Sequence, residues 1–152
     1  MQVTVLAVGR LRPIFRAAAD EYLRRLTRYG TFVEQEVKDA GSASSSTEAI
    51  RIEGERLGDK VGAGTRVVVL DRSATAWSSE MVARRIEQWR LGARPVALLL
   101  GGSHGLAPAQ VAGAAERWGF GPLTLPHELA RVVMLEQLYR GCTILRGEPY
   151  HK

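Results

Sequence analysis

Five consecutive apolar residues, Val96-Ala-Leu-Leu-Leu100, run directly into Gly101-Gly102, and no other stretch constrains the fold of this chain as much. A strand without polar alternation is buried on both faces, as in a parallel sheet covered by helices on each side. Gln2 to Val8 and Arg66 to Leu70 have the same character, and segments with apolar residues at spacings of three and four separate them. The pattern predicts a single α/β domain with a mostly parallel sheet, helices on both faces and a ligand at the carboxyl ends of the strands. Gly101 and Gly102 are the candidate approach point, because glycine has no Cβ and tolerates positive φ.

In chain order, the first strand ends at Gly9, and Pro13 to Tyr29 reads as a helix with Phe15, Ala18, Tyr22, Leu26 and Tyr29 on one face. Its other face carries Arg16, Arg24, Arg25 and Arg28, either plain solvated surface or an RNA footprint. Phe32 to Val37 is a second strand, and Gly41 to Thr47 is a loop by composition. Ser45 and Glu48 have capping-box spacing for a helix running toward Leu57. Ser78 or Ser79 caps a helix with Val82, Ile86 and Trp89 inward. Beyond the paired glycines, Pro108 to Trp118 reads as a helix closed by Gly119, and Leu123 to Leu125 as a short strand stopped by Pro126. The last helix, His127 to Arg140, is apolar nearly all round and needs a second cover besides the sheet, such as a partner subunit.

A chain of 152 residues fits one domain. Cys142 has no partner for a bridge, no apolar run reaches the roughly 20 residues of a membrane span, and the N-terminus lacks a signal-peptide layout, which together point to reducing cytoplasm. The net charge of +5 favours an anionic partner, and lysine occurs only at 38, 60 and 152, so the basic groups are mainly arginine forks suited to phosphate. No Cys/His spacing calls for a metal, and neither a nucleotide-triphosphate loop nor a GxSxG elbow is present.

The stretches LLLGGSHGL and LTLPHELARVVMLEQLYR, the terminal PYHK, the opening VTVLAVGR and the whole length together resemble the RlmH (YbeA) family of SPOUT-class methyltransferases. The resemblance implies one SPOUT domain over residues 1–152 with a C-terminal trefoil knot at about 96–145, against the general rule that chains do not thread their own loops. It implies S-adenosylmethionine as methyl donor, N3 of a pseudouridine in the 23S rRNA of the assembled 70S ribosome as acceptor, and a homodimer. The positions it assigns to the donor are Leu70, Gly101, Gly102, Pro122, Leu123, Thr124, Leu125, Pro126 and His127. Catalytic candidates are Glu136, Arg140, Tyr150 and His151, and Lys152 stands where family members commonly have arginine.

Methyl transfer from a sulfonium is an in-line displacement, and a uracil-type imide must first lose its N–H proton, so a base or an anion-stabilising cation is needed. Each candidate also has an ordinary reading. Glu136 at i,i+4 from Arg140, or near Arg131, is equally an ion pair; Asp71 is a ribose ligand or a turn residue; His104 is surface; His127 caps its helix. Tyr150 and His151 lie too near the chain end to matter for the core, but a tail of that length can reach a partner's donor pocket. Two rival functions stay open: a flavodoxin-like domain for another nucleotide such as a flavin, and a non-catalytic ribosome-associated RNA-binding protein.

Overall fold

A computed structural model describes the chain from Met1 to Lys152. The elements are β1 (Gln2–Val8), α1 (Pro13–Leu26), β2 (Thr31–Val37), α2 (Ser46–Gly58), β3 (Arg66–Leu70), α3 (Ser79–Leu91), β4 (Val96–Leu100), α4 (Pro108–Gly113), β5 (Glu116–Trp118) and α5 (His127–Leu145). All strands are parallel, in the order β2-β1-β4-β3-β5. Val5 of β1 lies between Glu34 and Leu98, and every residue of β4 is buried, as its unbroken apolar run requires. The order differs from the 2-1-3-4-5 of flavodoxin-like domains, because β4 sits between β1 and β3. That removes the flavodoxin-like alternative.

Each face of the sheet has its own core. Residues from α1, α3 and α5, including Leu26, Ile86, Trp89, Met134 and Leu138, pack on one face with Val3, Val5 and Leu98. On the other, Leu57 of α2 joins Leu6, Val8, Val69 and Leu99. The Ser45 hydroxyl accepts from the Glu48 N–H, and Ser78 does the same for Met81, so both predicted caps are in place. Only half of the capping box forms, since the Glu48 carboxylate turns outward to Arg51.

Three expectations need correction. The segment Pro108 to Trp118 is not one helix: α4 stops at Gly113, and Glu116–Trp118 pairs with β3, setting Trp118 opposite Leu70. Burial decides this, because Trp118 is only 1% exposed and its ring stacks on Trp77 at 5.2 Å, a gain that outweighs helix propensity in an alanine-rich run. Leu123 to Leu125 is not a strand, because β5 has taken the edge position beside β3 and no strand lies alongside Leu123–Leu125 to pair with it. The last helix continues past Arg140 to Leu145, with Gly141, Cys142 and Thr143 all buried. Its extra cover comes from α1 and α3 on either side, leaving Val132 and Val133 half-buried.

The basic face of α1 is mostly neutralised within the chain. Arg24 and Arg25 pair with Glu21, and Arg16 pairs with Asp20, Glu34 and Glu36. A second arginine completes the last cluster. Arg131, 1% exposed, bonds Glu34 at 2.9 Å and Glu36 at 2.8 Å, and its other nitrogen donates to the carbonyls of Val8 and Gly9. It ties α5 to the exit of β1 and to β2. Removing one member of a buried ion-pair network leaves the others uncompensated, at about 3–5 kcal/mol. Arg131→Met is therefore expected to lower unfolding free energy by about that amount in urea titration; a variant as stable as the parent would refute the structural role of this network.

Candidate functional site

The carboxyl ends of β3 and β4 and the segment after β5 enclose a cavity of about 150 Å³, lined by Leu70, Gly101, Phe120, Leu123, Leu125 and Ala130 among others. A larger cavity of about 530 Å³ adjoins it and shares Leu70, Asp71, Arg72, Gly102, Gly105, Thr124 and Leu125. Of the predicted donor positions, Leu70, Gly101, Gly102, Leu123, Thr124, Leu125 and His127 are thus brought together. Pro122 and Pro126 flank the lining without joining it. Pro126 instead precedes α5 and accepts from the Ala130 N–H.

The segment Phe120 to Leu125 forms no backbone–backbone hydrogen bond, although Phe120, Gly121 and Leu125 are partly buried. Such backbone groups are normally satisfied, so a strip of free donors and acceptors beside an apolar cavity is suited to the edge of a planar, polar ligand. Leu123 borders the cavity with 70% exposure.

The glycines also meet steric demands of the chain itself. A Cβ at Gly101 would lie 2.3 Å from the Gly105 carbonyl carbon, and one at Gly102 would lie 3.0 Å from Val8 and 3.1 Å from Glu53. The chain's own tight turn demands Gly101, and side chains of β1 and α2 crowd Gly102. Asp71 follows its turn reading: its carboxylate accepts from the Ser73 N–H and hydroxyl and pairs with Arg117. Burial pushes its pKa up, but those partners win and hold it below the ordinary carboxylate range.

The catalytic candidates gather elsewhere. Glu136 accepts from Arg140 at 3.0 Å and from the Tyr150 hydroxyl at 3.0 Å, and Arg140 lies over the Tyr150 ring at 4.6 Å. The bond that Arg140 donates to Glu136 raises the arginine's pKa, and burial followed by bonds to Tyr22 and Glu136 raises that of Tyr150. His151 contacts Glu80 at 3.2 Å. Glu136 follows His127 by nine residues of α5, about 13 Å of helix rise, so this group does not border the cavity at the ends of β3 and β4 in its own chain. Arg131, the alternative partner for Glu136, is committed to Glu34 and Glu36.

The tail is not a frayed end. The Tyr150 ring packs edge-on against Tyr139 at 4.8 Å and joins the main core. Burial pushes the Cys142 thiol up to about 12, which fits a core residue and not a nucleophile. No helix is long and apolar enough to cross a membrane, and no three His, Cys, Asp or Glu residues converge for a metal.

Sequence reasoning missed a further cavity, about 360 Å³, bounded by Val8, Gly9 and Arg10, the 39–46 loop, Glu53, Gly102 to His104, and His127. Glu53 is 6% exposed. The available signal was a carboxylate in the inward stripe Ala49, Glu53, Leu57, where helical spacing puts only buried residues.

Deleting Tyr150 to Lys152 removes an aromatic pair and a bond to a carboxylate, and is expected to cost about 2 kcal/mol. Calorimetry should find the melting temperature lower by roughly 4–8 °C; an unchanged value would mean the tail is loose in solution.

The family model described as predicted SPOUT methyltransferase matches residues 1–151. Ribosomal RNA large subunit methyltransferase H of Anaeromyxobacter dehalogenans strain 2CP-1 is 48% identical, and its counterpart in Pseudomonas aeruginosa strain LESB58 is 41% identical, each over the full length of both chains. Among solved structures, a probable methyltransferase from Bordetella pertussis Tohama I superimposes with TM-score 0.54 at 15% identity, covering 93% of this chain and 96% of its own. A probable methylase family protein from Haemophilus influenzae Rd KW20 gives 0.56 at 10% identity, covering 99% of this chain and 70% of its own, so both likenesses speak to the fold. With a family match from end to end and a ligand cavity built where its strands converge, this chain belongs to the SPOUT methyltransferases.

Proposed function

We propose that the protein transfers a methyl group from S-adenosylmethionine to N3 of a pseudouridine in 23S rRNA of the 70S ribosome, acting in the cytoplasm as a homodimer. The observation that carries this reading is the unbonded backbone strip Phe120 to Leu125 along an apolar cavity, in a chain similar from end to end to proteins named ribosomal RNA large subunit methyltransferase H. The residues present fit the donor. Leu70, Leu125 and Phe120 supply apolar walls for an adenine ring, the strip supplies hydrogen bonds to its edge, and the adjoining larger cavity has room for the remainder. When bound, the donor supplies an electrophilic methyl group. The chain's task is to hold the acceptor nitrogen in line and remove its proton.

RNA as the acceptor is supported by Arg10 and Lys38 at the exits of β1 and β2 and Arg72 at the exit of β3, all exposed on the cavity edge of the sheet. Cations there can take the phosphates flanking a base brought to the donor. A non-catalytic ribosome-binding role gives no reason for the unbonded strip. A knot spanning about 96–145 is supported by how closely the chain passes itself after β5. A Cβ on Gly119 would lie 2.2 Å from the Ala74 carbonyl oxygen, and Gly119 exchanges backbone bonds with Thr75 and Trp77.

Half-buried Val132 and Val133 on the open side of α5 support the dimer, as does the distance of Glu136, Arg140, Tyr150 and His151 from their own donor cavity. Two α5 helices crossing antiparallel about a two-fold axis place the later half of one beside the His127 end of the other, completing each site with a partner's tail. Purified protein should scatter light as a dimer at micromolar concentration, and should methylate large-subunit rRNA in ribosomes from cells lacking it, read by mass spectrometry of rRNA digests. A monomer would refute the shared site, and unmodified rRNA would refute the activity.

A further inference from the structure

The missed cavity lies where an open parallel sheet usually places a ligand. β1 is followed by α1 on one face and β4 by α4 on the other, so the crevice between these adjacent strands is a topological switch point. The cavity occupies that crevice, bounded by the ends of β1 and β4, and meets the donor cavity at Gly102 and His127. Its volume of about 360 Å³ falls within the roughly 300–1,000 Å³ of small-molecule sites.

Its floor carries a buried acid. Close packing of α2 on α4 holds it there: a Cβ on Gly54 would lie 2.9 Å from Ala107, and Gln110 donates to the Gly54 carbonyl at 2.8 Å. One oxygen of Glu53 accepts from the Ala40 N–H at 2.9 Å, while the other, Oε2, has no hydrogen-bond partner within the chain. That free oxygen is the one on the Gly102 side, 3.1 Å from where a Cβ would sit, and therefore toward the donor cavity. Fold stability gives no reason to keep a buried carboxylate oxygen unsatisfied, since such a group costs about 1–3 kcal/mol or more. A hydrogen-bond donor brought by a ligand would remove that cost.

Building on the methyltransferase reading above, we infer that this cavity receives the acceptor base and that Oε2 of Glu53 takes the imide proton of its N3. The N3–H bond breaks and the proton passes to Oε2. The nitrogen's pair forms the N–C bond while the methyl's bond to sulfur breaks, its pair staying on sulfur, and Glu53 then releases the proton to water. Arg10, Asp39, His104 and His127 are the other charged or titratable groups lining the cavity. Of these, Arg10 at the mouth is placed for a flanking phosphate.

Glu53→Gln keeps the acceptor for the Ala40 N–H and removes the base. Ala43→Phe narrows the cavity from its loop wall without touching the donor cavity. Calorimetry with S-adenosylmethionine should give affinities within twofold of wild type for both. Single-turnover methylation of ribosomes from cells lacking the protein should fall by about 10²-fold or more in Glu53→Gln. Its residual rate should climb about tenfold per pH unit as the imide ionises unaided, where wild type stays level; a merely structural role would not produce that slope. Wild-type transfer rates in a folded Glu53→Gln overturn the inference, as does a loss with no pH slope, and so does full activity in Ala43→Phe. Wild-type protein without donor binding or transfer would instead refute the parent reading.

Discussion

The arrangement depends on one buried arginine. Arg131 comes from the second turn of α5, yet all its bonds go to the exit of β1 and to β2, two to carboxylates and two to main-chain carbonyls. Four bonds from its two terminal nitrogens compensate a guanidinium removed from water, and its planar fork sets direction as well as distance. The start of α5 is thereby pinned over the carboxyl edge of the sheet. Glu128 adds a second tie, accepting from the Arg12 backbone and side chain, and these contacts keep its pKa low. His127 and Ala130 stand at the donor cavity because those bonds hold the helix end there.

From that fixed edge the molecule divides its work by face. The donor cavity opens toward β3 and β5, with α5 as one wall, and the second cavity opens toward β1 and α2. Gly102 stands between them, too crowded by Val8 and Glu53 for any larger residue to fit without displacement. Two ligands held on opposite sides of one glycine can meet at short range, which is the geometry an in-line transfer needs. The formal positive charge is used sparingly: many arginines pair locally, while Arg10, Lys38 and Arg72 stand exposed at this edge.

The alternation of buried runs with amphipathic segments was legible, and so were the caps at Ser45 and Ser78, because each depends on neighbouring residues. Local reading failed between Pro108 and Leu125. There a three-residue strand is decided by what Trp118 finds in three dimensions, and a leucine-rich stretch is left unpaired by sheet order. That Leu70, Gly101, Leu123, Thr124, Leu125 and His127 would share one cavity was legible through resemblance, while the physical reason for the paired glycines was not, since Gly105, Val8 and Glu53 are contacts made by folding. Glu53 itself escaped notice because a single acid in a helix stripe carries no motif.

The central claim is that the donor lies against the unbonded backbone of Phe120 to Leu125. Amide hydrogen exchange, followed residue by residue with and without S-adenosylmethionine, tests it most directly. The free protein should exchange rapidly at Gly121, Leu123, Thr124 and Leu125, which have no backbone bond to break, and saturating donor should slow exchange there. Donor binding that leaves those amides fast and protects a different edge of the sheet would contradict the account.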